Sequence, residues 1–334
     1  MSSESLTLPA PLDLPGYIWR PAQRNDAPAI WRMAAAAVEV DGLEAAPTVE
    51  NFERAFDQLG ANAETDTLLA LTLAGEAAAF AMFFVPPAEE EYVAQLSGNV
   101  AVDHRRRGLG RFLMTWLEAR VRQRFSQLDD DKPRKIQVAC RDHQEDRIRL
   151  FEKHGFRPTR YFYKMQRDLR RPIPEKQWPE GVTVVHWSPE RDDATRQAFN
   201  DAFRDHWNYF PMDTEIWQRW FTGTPHFRAD LSYLALDETG SVIGFNLCSV
   251  RPHQIEQTGI KEAWMDEIGV VRAWRKRGLA SALIVRAMHA FKDAGADYAV
   301  SGVDTENPSG ALRLYENLGF TPVKREISFT KVVE

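Results

Sequence analysis

Arg275-Lys276-Arg277-Gly278-Leu279-Ala280-Ser281 lies between a short run rich in β-branched residues, Ile268-Gly269-Val270-Val271, and a segment in which Leu283, Ile284, Ala287, Met288 and Phe291 recur on one helical face. The order reads as strand, tight turn and helix start. The first N–H groups of a helix lack an intrahelical acceptor and the macrodipole is positive there, so such a turn attracts an anion. Gly278 and Ala280 keep side chains clear of the backbone, and Arg275, Lys276 and Arg277 add charge. Taken singly, the stretch reads equally well as a basic helix cap.

It does not stand alone. Arg105-Arg106-Arg107-Gly108-Leu109-Gly110-Arg111 repeats the pattern 170 positions earlier, after Val100 and Val102 and before a helix carrying Phe112, Leu113 and Leu117. Two copies in one local setting make an internal repeat, each suited to cradling a diphosphate. Neither copy has the Gly-Lys-Ser/Thr ending of a P-loop.

A chain of 334 residues with 44% hydrophobic content buries a real core and fits two domains, the number the repeat also gives. At a net charge of −6 the arginine clusters are local features, which argues against nucleic acid as a partner. Cys140 and Cys248 sit in apolar strand-like runs of separate repeats and read as buried thiols of a reducing compartment. The eight histidines show no metal-ligand spacing, so no metal is expected. No run approaches a membrane span, and Met1 to Gly16 has acidic and proline residues where a secretory signal needs a basic then apolar stretch. The expectation is a cytoplasmic protein without a membrane partner, monomeric or homodimeric.

Along the chain, residues 1–16 read as a tail, 17–170 as a first domain, 171–180 as a proline-containing linker and 181–334 as a second domain. In the first, the pattern predicts a strand at 17–20, a helix capped by Asp26, a second helix at 49–59, a hairpin of 68–73 with 77–85, and a strand at 94–102. After the basic turn come a helix to about 125, a strand at 135–140, a helix ending at Gly155 and a strand at 161–165. The second domain repeats this order: strand 182–187, helices 192–207 and 213–221, strands 231–236, 242–250 and 264–271, a helix to about 294, strand 298–303, helix 309–318 and strand 326–333. The offset between copies falls from 170 at the basic turns to 164 at Gly155-Phe156 and Gly319-Phe320, which the extra loop around 129–132 explains.

Arg105-x-x-Gly108-x-Gly110, Arg275-x-x-Gly278-x-Ala280 and the ending Leu314-Tyr315-Glu316-Asn317-Leu318-Gly319-Phe320 resemble the GNAT superfamily of N-acetyltransferases, in tandem. The resemblance implies two α/β domains, each a twisted mixed sheet flanked by helices and splayed between strands four and five, with acetyl-CoA as co-substrate and a small-molecule amine as acceptor. It further implies a bulge in the fourth strand, pantetheine contacts from Ile268, Gly269 and Val270, and diphosphate contacts from Arg275, Lys276, Arg277, Gly278, Leu279, Ala280 and Ser281. The first-copy counterparts are Val100 and Val102, then Arg105, Arg107, Gly108, Gly110 and Arg111.

An alkylammonium with a pKa of about 10.4 is neutral in roughly one molecule in a few thousand at pH 7, so a base assists its attack. Glu267 is the expected base and Asp266, on the opposite face by strand alternation, the alternative. By resemblance Tyr315 protonates the departing thiolate, a strand-four N–H stabilises the oxyanion, and Asn307 is a helix cap or a coenzyme contact. The first copy has Ser97, Phe151 and His143 where the second has Glu267, Tyr315 and Asn307. Catalysis is therefore expected in the second domain, with the first inactive yet able to hold acetyl-CoA. The aromatic stretch from His206 to Phe221, with Asp205, Asp213 and Glu215, reads either as a roof for an amine with an apolar body or as glue between domains. The competing reading is an acyl-CoA-binding scaffold without turnover, which retention of Tyr315 and Glu267 disfavours.

Overall fold

A computed structural model describes residues 7–10, 15–307 and 310–333. They form two compact units, one of residues 1–159 with 327–334 and one of 160–326. Most of the tail expected over residues 1–16 lies outside the described residues.

The first unit contains β1 (Tyr17–Arg20), α1 (Ala27–Ala36), α2 (Val49–Leu59), α3 (Ala63–Asp66), β2 (Thr67–Thr72), β3 (Ala77–Phe84), β4 (Tyr92–Val100), α4 (Leu109–Phe125), β5 (Arg134–Arg141) and α5 (Glu145–Lys153). Strands β1 to β4 are antiparallel neighbours in chain order, and β5 lies parallel to β4. Side chains alternate across the sheet, so Leu68, Ala70, Ala79, Ala81 and Phe83 pack on one face with Leu109, Leu113 and Leu117 of α4. Leu69 and Phe80 face the other way, towards Ile30 and Met33 of α1 and Phe56 of α2. The alanine run of β3 leaves room for α4 to approach the sheet. Asp26 does not cap α1 through its side chain; it binds Arg20 and the Gln23 N–H instead.

The second unit takes most of β6 (Arg157–Asp168), then β7 (Thr183–His186), α6 (Asp192–Phe203), α7 (Thr214–Trp217), β8 (Tyr233–Leu236), β9 (Val242–Val250), α8 (Pro252–Thr258), β10 (Glu262–Val270), α9 (Leu279–Asp293), β11 (Tyr298–Asp304), α10 (Ala311–Asn317) and the start of β12 (Thr321–Val332). Its strand order is β7-β8-β9-β10-β11-β6, antiparallel except for the β10–β11 pair. Leu279 and Leu283 of α9 pack with Tyr233, Ala235, Ile243 and Val270, while Phe199 of α6 packs with Leu234, Phe245 and Leu247 on the opposite face.

The strand that ends the first sequence repeat therefore works in the second unit: Phe162 to Asp168 pair with β11. The chain's last residues belong to the first, where the Val333 N–H donates to the Arg134 carbonyl at 2.9 Å. Where a helix over 213–221 was expected, α7 stops at Trp217 and a wider π-turn runs over Gln218–Thr222. Helix α8 was not anticipated, although Pro252 at its start and Gly259, with φ +71°, at its end are the ordinary signals. For helix 309–318 the described part is Ala311–Asn317; Ser309 lies outside the described residues.

Candidate active site

In both units the parallel pair opens part-way. Strands β10 and β11 pair from Glu262↔Tyr298 to Met265↔Ser301, and beyond that rung the pairing stops although both strands continue. In the first unit β4 and β5 pair from Tyr92↔Arg134 to Gln95↔Gln137 and then part. The last rungs differ by the same 170 and 164 positions as the sequence motifs, so the two gaps are equivalent.

Register decides which backbone groups face each gap. Val271 N–H donates to Ile243 O, so in the antiparallel ladder Gly269 and Glu267 also bond to β9, while the N–H and C=O of Ile268 and Val270 point into the gap. This corrects the expectation for Gly269, whose backbone is spent on β9. Gly269 has another role: a Cβ there would sit 2.4 Å from Cζ of Phe245, its cross-strand partner, so only glycine admits that ring. A bulge between Met265 and Glu267 lies just past the last rung. In the first unit β3 and β4 keep one register from Ala79↔Val100 to Phe84↔Gln95 without a bulge. There Gly98 and Val100 face the gap; Val102 lies beyond the strand in a 3-10 turn, which corrects its assignment as a pantetheine contact.

The basic turns superpose in detail. Lys276 (φ +62°) and Arg106 (φ +63°) are left-handed non-glycine residues at the same position, and Gly278 (φ +84°) and Gly108 (φ +88°) are left-handed at the helix N-caps. Holding a residue with a Cβ in that region costs energy and is characteristic of functional turns. The first α9 rung is Ala282 N–H to Gly278 O, so the N–H groups of Leu279, Ala280 and Ser281 precede the ladder. Arg275 does not point at this anion site. Its guanidinium binds Val270 O at 3.2 Å and Ala202 O at 2.8 Å, so it braces the turn. Arg105 likewise binds Val100 O and forms a two-pronged pair with Asp41 at 2.6 and 2.9 Å. Lys276 and Arg277 are exposed, the latter over the Trp274 ring. Arg107 reaches the Asp103 carbonyl, and Arg111 is exposed on α4. Gly110 has room for a methyl group, which accounts for Ala280 in the other copy.

Tyr315 comes off α10 and is 2% exposed. Its hydroxyl lies 2.9 Å from Ser301 Oγ, and Ser301 donates its single hydrogen to the Met265 carbonyl at 3.1 Å, so Tyr315 is the donor to Ser301. Burial raises the Tyr315 pKa, and the nearby Glu267 charge raises it further. The phenol is thus protonated at any ordinary pH. Glu267 is half-buried in β10, one residue past the bulge, and among the described residues no group hydrogen-bonds its carboxylate. Burial, and after it the charge of Asp266, push its pKa up to about 8. Asp266 differs: Arg251 pairs with it at 2.8 Å while stacking over the Trp264 ring. Asn307 does not cap α10, whose N-cap is Gly310; its backbone closes turns with Asp304 and Gly310 instead.

Phe151, the counterpart of Tyr315, packs with Phe156 and Phe329 and has no hydroxyl, and Ser97 is exposed. His143 binds the Asp41 carbonyl. The aromatic stretch from 206 to 221 largely serves the second unit's own core: Phe210, Met212 and Trp217 are buried with Phe199 and Phe245. Its carboxylates are committed, Asp205 to Arg272, Asp213 to the Ile216 N–H and Glu215 to Arg219. Sequence reasoning missed Ser301 and Arg251. Ser301 corresponds to Gln137 at the 164 offset, a difference in the sequence that could have marked it.

The model of the acetyltransferase (GNAT) family matches residues 34–156 and again 193–320, three quarters of the chain. The chain belongs to the GNAT family. Members of this family use acetyl-CoA, and the protein is a tandem GNAT N-acetyltransferase. Mycothiol acetyltransferase of Thermomonospora curvata is 30% identical over 237 residues, 68% of this chain and 71% of that protein. The crystal structure of a GCN5-related N-acetyltransferase from Sphaerobacter thermophilus is 29% identical with a TM-score of 0.73, covering 98% of this chain and 97% of the other. A tandem GNAT protein from the clavulanic acid biosynthesis pathway shares the fold at 16% identity, TM-score 0.66, over 95% of this chain and 98% of its own. Among the described residues no helix is long and apolar enough to cross a membrane.

Proposed function

We propose that the second GNAT unit transfers the acetyl group of acetyl-CoA to a primary amine by direct attack. The observation that carries this reading is the joining of three groups at one opening: the Tyr315 phenol bonded to Ser301 of the last β10–β11 rung, the Glu267 carboxylate one residue past the bulge, and the gap-facing amides of Ile268 and Val270. A diphosphate suits the N–H groups at the start of α9 and the Lys276 and Arg277 charges. Pantetheine amides suit the gap-facing groups of β10.

Glu267, when ionised, takes a proton from the acceptor ammonium, directly or through water, and leaves a neutral amine. As the C–N bond forms at the thioester carbon, an N–H facing the gap from β10 stabilises the oxyanion. When the C–S bond breaks, Tyr315 gives its proton to the sulfur and regains one from the nitrogen, which loses its second ammonium proton as the amide forms. One proton is released per acetyl group transferred. The first unit lacks both side chains and plays no chemical part. The name of the Thermomonospora curvata relative puts mycothiol-related amines at the head of the acceptor panel. The test is thiol release from acetyl-CoA across amines: acceptor-dependent release that Tyr315→Phe abolishes supports the assignment, and release unchanged in that variant refutes it.

A further inference from the structure

Arg147 directly follows the acidic pair that opens α5, and its guanidinium crosses the gap of the first unit. It reaches the Gly98 carbonyl at 3.3 Å and Asn99 Oδ1 at 3.0 Å. Gly98 faces the gap of β4 as Ile268 faces that of β10. The other gap-facing donor, the Val100 N–H, is taken by Asn99 Oδ1 at 3.0 Å. In the second unit the residue 164 positions after Arg147 is Ala311, whose methyl group packs against that unit's core, and Asn99 is replaced by Gly269. Burial lowers the Arg147 pKa, but a guanidinium stays charged, so the gap carries a fixed cation held by two acceptors.

The mouth of the same gap has also changed charge. Arg106, at the left-handed position of the basic turn, pairs with Asp146 at 2.6 Å, and Glu145 stands beside it in the first turn of α5. The second-copy counterparts of Glu145 and Asp146 are the uncharged Ser309 and Gly310. A diphosphate approaching the first turn would meet two carboxylates, both paired with Arg149, and in Arg106 a cation already partnered.

We propose that Arg147 fills the pantetheine groove of the first unit from within, so that the protein holds one coenzyme A per chain, in the second unit. The inference rests on the coenzyme occupying the β10–β11 gap, as argued for the proposed function. For pantetheine to reach the Gly98 backbone, Arg147 must leave the gap and give up both acceptors, which costs a buried guanidinium its hydrogen bonds.

Calorimetric titration of the full-length protein with coenzyme A tests this. Wild type should bind one equivalent, Arg147→Ala two, with turnover within about twofold of wild type, and Ala311→Arg should lose binding at least tenfold. Two equivalents on wild type, or one on an Arg147→Ala protein whose melting temperature shows it folded, overturns the plug. If Arg147→Ala does not fold, Ala311→Arg decides: binding as tight as wild type overturns the inference. No binding to wild type at all brings down the coenzyme reading of the second unit and this inference with it.

Discussion

Tyr315 Oη lies 2.9 Å from Ser301 Oγ, and Ser301 pairs with Met265 on the last rung before β10 and β11 separate. The phenol is therefore fixed at the floor of the opening by the element that defines it. Its hydroxyl hydrogen has an acceptor, Ser301 Oγ, in the resting enzyme.

From this position Tyr315→Phe should lower kcat by about 100-fold or more, the scale of a lost general acid, while the KM for acetyl-CoA changes little. Ser301→Ala keeps the phenol but frees its orientation, so a smaller loss of about tenfold is expected. Steady-state kinetics on both variants separates them. A Tyr315→Phe enzyme with near wild-type kcat would mean that Tyr315 acts through packing alone.

The pH profile follows from Glu267. With its pKa pushed up to about 8, roughly one molecule in ten carries the ionised carboxylate at pH 7, and the base becomes available as pH rises through 8. In wild type kcat/KM should climb about 50-fold between pH 6 and 8 beyond any titration of the amine itself, and Glu267→Gln should remove that extra limb. Asp266→Asn deletes the like charge beside it and should move the limb to lower pH. A limb unmoved in Glu267→Gln would assign the base elsewhere.

The motif-bearing side chains could be read from the sequence because residue types at fixed spacing carry them: Tyr315 sits in its helix ending, and Gly278 in a turn that needs φ above zero. What could not be read depends on register. Whether Ile268 or Gly269 faces the gap is set by which β9 residue each opposes, and one step of register exchanges them. Arg275 looked like a phosphate ligand from its charge, yet it braces Val270 O and Ala202 O, because charge alone does not say which way a long side chain runs. The fate of β6 was likewise hidden. Nothing local tells Phe162 that its partner is Asp304, far along the chain.

Stability should depend on pH through the same carboxylate. Below about pH 4.5 Glu267 is protonated in folded and unfolded chains alike. Between that value and about 8 the folded chain keeps a proton that the unfolded chain releases, so stability falls as pH rises across this window and is level above it. Glu267→Gln removes this contribution. Chemical denaturation at pH 5 and pH 8 should show wild type losing more stability than the variant between the two, and identical losses would mean the folded pKa is ordinary.

Gly269 gives the last prediction. Its Cβ would stand 2.4 Å from Phe245 Cζ and 3.1 Å from Ala202 Cβ, inside contact distance on a buried strand. Gly269→Ala should destabilise the protein by about 1–3 kcal/mol, the usual penalty for overpacking, through displacement of the Phe245 ring that α6 also packs against. Because β10 must shift to relieve the clash, the gap-facing amides of Ile268 and Val270 move with it, and the KM for acetyl-CoA should rise together with the loss of stability. Shortening the ring in a Gly269→Ala, Phe245→Leu double variant makes room for the methyl group. The double variant should be more stable than the sum of the single changes, because the two residues are in contact. Additive losses would show that the glycine is kept for a reason other than the ring that covers it.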